Sequence, residues 1–368
     1  MKEVKVLAFY LPQFHEILEN NKWWGDGFTE WTNTKKSKPL FKNHYQPRIP
    51  DNEKYYNLLN DNDRLWQINI AKKYGLSGFV YYHYWFKGKM LLEKPAELLL
   101  ENKSIDFPFC FAWANETWSR TWYGNNNEIL LEQDYGDNND WEKHFYYLLD
   151  FFLDSRYIRI DNKPIFIIYK SSSINFSDEI IGLWNNLAKE NNLDGIYFIN
   201  MLTGYEHDNK SKRFNAQIEF EPMYTLSHCL PNYYKIFNKI TYSFRHKVIK
   251  KIKSNPFLGK FYNYDLIWKN IINRKRSNTK KTFLGAFVDW DNSPRKKEFA
   301  TIFYGATPKK FYKYLYEQIK RSKEEYNSEF IFINAWNEWS EGTYLEPDEK
   351  YEFSYLEGMK KAIDKNLL

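Results

Sequence analysis

The sequence predicts an α/β protein, a (β/α)8 barrel of the TIM type with a basic insertion between its sixth and seventh strands. Three observations carry that expectation. Apolar runs rich in β-branched and aromatic residues alternate with helix-patterned stretches along the 368 residues, which favours parallel strands joined by crossovers. Eight such runs are separated by seven helix-bearing or helix-length connections and followed by a terminal helix. That number favours a closed ring, with a doubly wound eight-stranded sheet as the alternative. Polar and aromatic residues crowd the ends of the runs: His15, His83, Trp85, Asn115, Glu116, Asn200, Glu219, Glu221, Asp289, Asp291, Glu338 and Glu341. In a barrel those ends form one rim, where catalytic groups sit.

Taken in order, Val4 to Leu11 is the first strand, opening into a polar loop with Trp23, Trp24, Glu30, Trp31, His44, Tyr45 and Pro47. Helical patterning runs from about Glu53 to Tyr74 and stops at Gly75, a residue suited to a helix C-terminus. Ser77 to Phe86 is the second strand, a helix spans Lys94 to Asn102, and Phe107 to Trp113 is the third strand. An amphipathic stretch from Asp140 to Asp154 precedes the fourth, Pro164 to Lys170. Ser177 is expected to cap a helix reaching Asn191, before a fifth strand at Gly195 to Met201 and a sixth at Ala216 to Phe220. The seventh strand, Thr282 to Val288, follows the insertion; helical residues 307–326, the eighth strand from Phe330 and a helix at 352–365 complete the chain. One catalytic domain over residues 1–368 is expected, with the insertion at 231–281 inside it.

Aromatic residues make up 20% of the chain, more than a core alone requires, so many should line surfaces or a cleft. Cys110 and Cys229 are too few for a disulfide framework and read as reduced structural thiols. The first residues read as a strand and not as a signal peptide, and no run reaches the length of a membrane-spanning helix. A soluble, cytoplasmic protein is expected. Residues 231–281 hold 14 Lys/Arg against one acid, Asp265, a net +13 in a chain whose total is +6, which leaves the remainder at −7. This segment mixes its charges with Tyr, Phe, Ile and Trp. Contact with an anionic membrane surface, peripheral at the inner face, suits that mixture better than nucleic acid, for which no binding motif is present. A solvated helical insertion is the plain alternative.

The stretch Phe330-Ile-Phe-Ile-Asn-Ala-Trp-Asn-Glu-Trp-Ser-Glu-Gly-Thr-Tyr344 concentrates the chemistry. A buried strand there delivers Glu338 and Glu341 together with two amides and two indoles. Neighbouring carboxylates do not both ionise comfortably, which divides them into proton holder and proton acceptor. Indoles beside them suit the apolar face of a pyranose. A solvated turn is the alternative, and Glu116 paired with Glu338 is a rival assignment, whose plain reading is a substrate hydrogen bond or a salt bridge from Glu116 to Arg120. Sugar-cleft candidates are Trp24, Trp31, Tyr45, His83, Trp85, Asn115, Glu116, Tyr224 and Asn337. Asp289-Trp290-Asp291 has a spacing that nucleotide-sugar transferases use for a divalent metal, though sugar binding or loop capping is preferred. The histidines show no zinc spacing, and no nucleotide-binding fingerprint is present.

Leu7-Ala-Phe-Tyr-Leu-Pro-Gln-Phe-His15, Trp23-Trp-Gly-Asp-Gly-Phe-Thr-Glu-Trp-Thr-Asn33, His44-Tyr-Gln-Pro47 and Trp336-Asn-Glu-Trp-Ser-Glu-Gly-Thr343 closely resemble the WbsX-type proteins of bacterial surface-polysaccharide gene clusters. That family is labelled as glycosyltransferases and is also similar to glycoside hydrolase family 99, the endo-α-mannosidases and endo-α-mannanases. The first resemblance covers almost the whole chain. The second rests on the Asn-Glu-x-x-Glu-Gly-Thr stretch, the His-Tyr-x-Pro loop and the order of strands. It implies a barrel acting on α-linked glycans without a cofactor, retaining anomeric configuration through the substrate's own 2-hydroxyl and a 1,2-anhydro sugar. Carried onto this chain, Glu338 would deprotonate that hydroxyl, and Glu341 would protonate the departing oxygen and then activate water. A polysaccharide glycosyltransferase and an inactive glycan-binding protein are the other readings. The substrate implied is an oligosaccharide or polysaccharide, or its lipid-linked precursor.

Overall fold

A computed structural model describes residues 3–121, 127–205, 212–249, 257–276 and 280–367. Eight strands form its centre: β1 (Lys5–Tyr10), β2 (Gly78–Phe86), β3 (Phe109–Trp113), β4 (Lys163–Ile168), β5 (Tyr197–Leu202), β6 (Ala216–Glu219), β7 (Thr282–Phe287) and β8 (Phe330–Asn334). Each pairs in parallel with its neighbour in sequence, and β1 also pairs with β8, Lys5 lying opposite Phe330 and Leu7 opposite Gly78. The ring is therefore closed, a (β/α)8 barrel with no free edge among these strands. Closure brings β6 and β7 very close. A Cβ on Gly285 would stand 1.9 Å from the Glu219 carbonyl oxygen, so no larger residue fits there without moving backbone.

Among the described residues, the helices of eight or more residues are α1 (Asp61–Lys73), α2 (Lys94–Glu101), α3 (Asn138–Leu153), α4 (Ser177–Glu190), α5 (Asn232–Phe244), α6 (Tyr264–Ile272), α7 (Pro308–Glu324) and α8 (Ser354–Leu367). Caps set several starts: Asp137 accepts from Asp140 N at 3.2 Å for α3, and Thr307 from Lys310 N at 3.3 Å for α7. Two expectations shift. Helix α1 begins at Asp61 and not near Glu53, because Asn52 and Glu53 have left-handed backbones and Asn60 supplies the cap, accepting from Asn62 N at 2.9 Å. Ser177 is the first residue of α4 and not its cap; Phe176 holds that position without a side-chain bond. The connection from β5 to β6 carries no helix among its described residues. Among the described residues, no helix is long and apolar enough to cross a membrane.

Alternation along each strand separates barrel interior from helix-facing layer. Phe9 of β1 meets Tyr82 of β2 at 5.7 Å, Phe332 of β8 at 6.0 Å and, across the ring, Phe220 just past β6 at 5.2 Å. Those rings fill the barrel. The intervening residues face outward: Tyr10 donates its hydroxyl to Gln67 of α1 at 2.7 Å, and Trp184 of α4 packs on Phe166 and Phe198. This phase decides which side chains reach the mouth.

Candidate active site

Strand β8 carries the chain to the barrel mouth, where Asn337 anchors it. Its Nδ2 donates to Leu11 O at 3.0 Å and its Oδ1 accepts from Leu11 N at 2.7 Å, so the amide imitates a strand partner for the segment just beyond β1. Asn337 and Glu338 then pair antiparallel with Tyr344 and Thr343, and Trp339–Glu341 form a single 3-10 turn between them. Gly342 closes that turn at φ +63, with a would-be Cβ 2.9 Å from the Asp291 backbone, so conformation and space both require glycine. Behind the hairpin, Trp339 stacks on Tyr344 at 3.9 Å and donates its indole N–H to Glu346 at 2.7 Å. A stiff hairpin therefore presents Glu338 on its strand and Glu341 at the end of its turn.

Arg295 gathers both carboxylates. It sits on a four-residue helix, Ser293–Lys296, with Pro294 in its first turn. Its Nη1 donates to Glu341 Oε1 at 2.8 Å, and its Nη2 to Glu30 Oε1 and Oε2 at 2.9 and 3.0 Å and to Glu338 Oε2 at 3.3 Å. Glu30, first residue of the short helix Glu30–Lys36, also accepts from Ser340 N at 2.9 Å, which locks that helix to the hairpin. Three carboxylates thus surround one guanidinium. Side-chain exposure is 2% for Glu30 and 9% for Glu338 but 25% for Glu341 and 30% for Arg295, so the cluster opens to solvent at the Glu341 end.

Burial pushes Glu338 up to about 8; Arg295 opposes the rise, while Glu341 and Glu30 add to it. Glu341 is raised too, by burial first, again against Arg295. Carboxyls raised in this way hold a proton to higher pH than free ones and can still release it, which is what acid and base work needs. Tyrosines wall the same space. Burial raises the hydroxyls of Tyr82 and Tyr84, and the charge of Glu338 comes next. Tyr169, just past β4, is raised by burial and then by Glu116, Glu341, Tyr205 and Glu338, so it lies within electrostatic reach of all three acids. Aromatic contact continues outward from Tyr84 to Trp118 at 5.3 Å and from Trp118 to Trp23 at 5.7 Å.

The sequence candidates divide by position. Glu338 and Glu341 are brought together. Trp24 is exposed, stacks on Phe28 at 5.7 Å and has the Arg120 guanidinium 4.8 Å over its ring. Glu116 pairs with Lys170 at 3.6 Å and not with Arg120, which bonds Glu128. Burial raises Glu116 as well. Asn115 braces the Lys170 backbone, donating to its O and accepting from its N, both at 2.9 Å. Asn337 holds Leu11, so its amide is engaged in positioning Glu338.

Other candidates stand apart from the pair. His83 and Trp85 face out of the barrel onto α3: His83 Nε2 lies 2.8 Å from His144 Nε2, and Trp85 stacks on His144 at 4.4 Å and donates to Asp140 at 3.1 Å. Trp31 is buried against Phe14, Tyr56 and Trp339, its indole donating to Tyr56 O at 2.9 Å. Tyr45 packs on Tyr351 beneath Lys350, and Tyr224 on Arg274, which binds Glu219 and Glu221. Asp289 and Asp291 both bond into the loop: Arg48 donates to Asp289 Oδ2 at 2.8 Å while Asp289 Oδ1 is left without a partner among the described residues, and Gln46, His44 and Ser293 N contact Asp291 at 2.7, 2.9 and 3.0 Å. These bonds fit the loop-capping side of the expectation. Among the described residues, no group of three or more His, Cys, Asp or Glu could hold a metal ion.

Sequence reasoning missed Arg295, Glu30 as its partner, and the inward tyrosines Tyr82, Tyr84 and Tyr169. One signal was available for the tyrosines, since period two places Tyr82 and Tyr84 on the face opposite to His83 and Trp85.

The family described as Glycosyltransferase WbsX matches residues 6–359. An uncharacterized protein WxcX from Xanthomonas campestris pv. campestris strain B100 is 31% identical over 363 residues, covering 97% of this chain and 49% of that protein. Its counterpart in strain ATCC 33913 is 30% identical over 364 residues, with the same shares of 97% and 49%. The chain spans about half the length of these curated relatives. Among solved structures, a glycoside hydrolase-like protein superposes with TM-score 0.58 at 13% identity, over 99% of this chain and 94% of the other. The GH99 endo-alpha-mannosidase from Bacteroides thetaiotaomicron does so with TM-score 0.55 at 14% identity, over 99% and 98%. At such identities the likeness is one of fold, and it agrees with the closed barrel.

Proposed function

The chain belongs to the Glycosyltransferase WbsX family, and on that premise we propose that it is a glycan-processing enzyme working as a retaining glycoside hydrolase. Its substrate in this reading is an α-linked, mannoside-like glycan of bacterial surface polysaccharide, or the lipid-linked precursor of one. The supporting observation is the pair of carboxyls on one stiff hairpin, both raised by burial and both held by Arg295.

In the first step Glu338 takes the proton of the sugar 2-hydroxyl, O2 attacks C1, and the bond from C1 to the departing oxygen breaks as Glu341 protonates that oxygen. In the second step Glu341 accepts a proton from water as the water oxygen attacks C1, the anhydro ring opens, and Glu338 returns its proton to O2. Two inversions leave the anomeric configuration unchanged. Raising Glu338 makes it a stronger base toward a hydroxyl, and raising Glu341 favours its protonated, acid form. Arg295 limits both rises, so neither carboxyl becomes permanently neutral. Tyr82, Tyr84 and Tyr169 offer rings and hydroxyls to the sugar, with Glu116 and Trp24 further out as binding candidates.

Oligosaccharides from the surface glycan of the source organism should be cut by the protein, and proton NMR of the first product should show the substrate's own anomer. Glu341→Gln keeps the shape and loses the transferable proton; turnover should fall at least about a hundredfold, with circular dichroism unchanged. Near-normal turnover in that variant rejects the assignment. The family's description favours a second reading, a glycosyltransferase of O-antigen or capsular polysaccharide assembly, in which case calorimetry against nucleotide-sugars gives tight binding and no hydrolysis occurs. An inert glycan-binding protein would bind oligosaccharide and release no product. Cys110 and Cys229 are free thiols, and a cytoplasmic setting at the inner membrane face belongs to the same proposal.

A further inference from the structure

Helix α5 carries its polarity inside out. Tyr234, Asn238, Thr241 and Arg245, at spacings of four, three and four, are half-buried toward the body of the protein. Tyr234 packs on Tyr262 at 6.1 Å and accepts from Asn263 N at 3.3 Å, and Arg245 donates to Gly259 O at 2.7 Å. On the solvent side Tyr233, Ile236, Phe237, Ile240 and Phe244 fall within an arc of about 100°. These five are 68%, 58%, 59%, 62% and 55% exposed. A surface helix ordinarily buries its apolar stripe and shows its polar one to water. A contiguous exposed stripe of this size marks a surface meant to be covered.

Charge selects what covers it. Lys239 flanks the stripe, about 60° round the helix from Ile236, and α5 opens the segment of net +13 in a chain whose remainder is −7. The partner must be apolar within and anionic at its edge. A second copy of this chain meets the first requirement and fails the second, since two +13 segments would face each other. Nucleic acid meets the second and leaves the isoleucines and phenylalanines in water. We propose that α5 is a membrane-docking helix, its apolar face among the acyl chains of an anionic bilayer and Lys239 at the level of the phosphates.

Position gives the docking surface a use. Helix α5 lies on the connection leaving the C-terminal end of β6, the same face of the barrel that carries the hairpin after β8. Lys260–Asn263, which follows α5, pairs in parallel with Thr301–Tyr304, which follows the Arg295 helix, so helix and carboxylate cluster are built into one framework. A protein seated on α5 would bring its barrel mouth to the bilayer surface, where a lipid-linked glycan is found. Only that use rests on the hydrolase reading; the docking itself does not.

The test is sedimentation with vesicles of phosphatidylcholine alone and with about one third phosphatidylglycerol, at low and high salt. Wild-type protein should pellet with the anionic vesicles, more strongly at low salt. Lys239→Gln should weaken that partition about fivefold, from one lysine at about 1 kcal/mol. Phe237→Ser/Ile240→Ser should abolish it at either salt with an unchanged melting curve, because neither side chain is buried. Failure of the wild type to pellet overturns the proposal, as does a serine variant that still pellets. A solution dimer that the serine variant dissociates overturns it too, in favour of a second copy. Cleavage of soluble oligosaccharide is assayed beside it: cleavage without pelleting removes the docking alone, and pelleting without cleavage supports docking while removing the hydrolase reading.

Discussion

Arg295 sets the electrostatics of the candidate site, and nothing in its local sequence announces it. Ser293-Pro-Arg-Lys reads as a basic turn, yet its arginine ends among three acids brought in by loops far apart in the chain. Glu338 and Glu341 were visible from their spacing after a strand; the guanidinium that keeps them from going wholly neutral was not. A measurable consequence follows for Glu338. Its ordinary value is 4.5 and its folded value about 8, so between those limits the folded protein holds a proton that the unfolded chain has released. Stability therefore falls as pH rises through that window. Glu338→Gln removes the fall, and its urea midpoint relative to wild type should rise between about pH 5 and about pH 9. Midpoints that keep a constant difference at the two pH values would mean that Glu338 titrates normally. Glu346 shows the other use of a buried carboxyl: pushed to about 7 by burial, it accepts from Trp339, Gln67 and Tyr56 and stiffens the back of the hairpin.

Strand β2 explains why two of the cleft candidates, His83 and Trp85, face away from the mouth. Gly78-Phe-Val-Tyr-Tyr-His-Tyr-Trp-Phe86 is buried along its whole length, because barrel strands are covered by helices outside and by one another inside. Period two was legible; its phase was not, since no polar residue marks a solvent face. The structure turns Tyr82 and Tyr84 toward the carboxylates and His83 and Trp85 toward α3. Neighbouring substitutions should thus separate in KM. Tyr84→Ala is expected to raise KM for oligosaccharide as well as to lower stability, since Tyr84 is itself buried. Trp85→Ala should cost about 3–5 kcal/mol in denaturant unfolding and leave KM unchanged. The reverse pattern would put the indole in the cleft.

At the scale of the molecule, closure of the ring is what makes one site from distant segments, and it depends on backbone fit as much as on burial. Gly285→Ala places a methyl group 1.9 Å from the Glu219 carbonyl, so β6 and β7 must part. The variant should melt far below wild type, or fail to fold, and lose glycan cleavage with it; a wild-type melting temperature would mean that the pair tolerates separation. Alternating strand and helix patterns, eight strands, a basic segment of opposite charge to the body and the carboxylate pair Glu338 and Glu341 after the last strand were all readable in one dimension. They are local properties, set by residues a few positions apart. Which groups share the mouth of the barrel was readable in no stretch, for Glu30, Arg295, Glu338 and Tyr169 meet only when the ring closes, and the inward or outward sense of each strand is settled by packing against its helices.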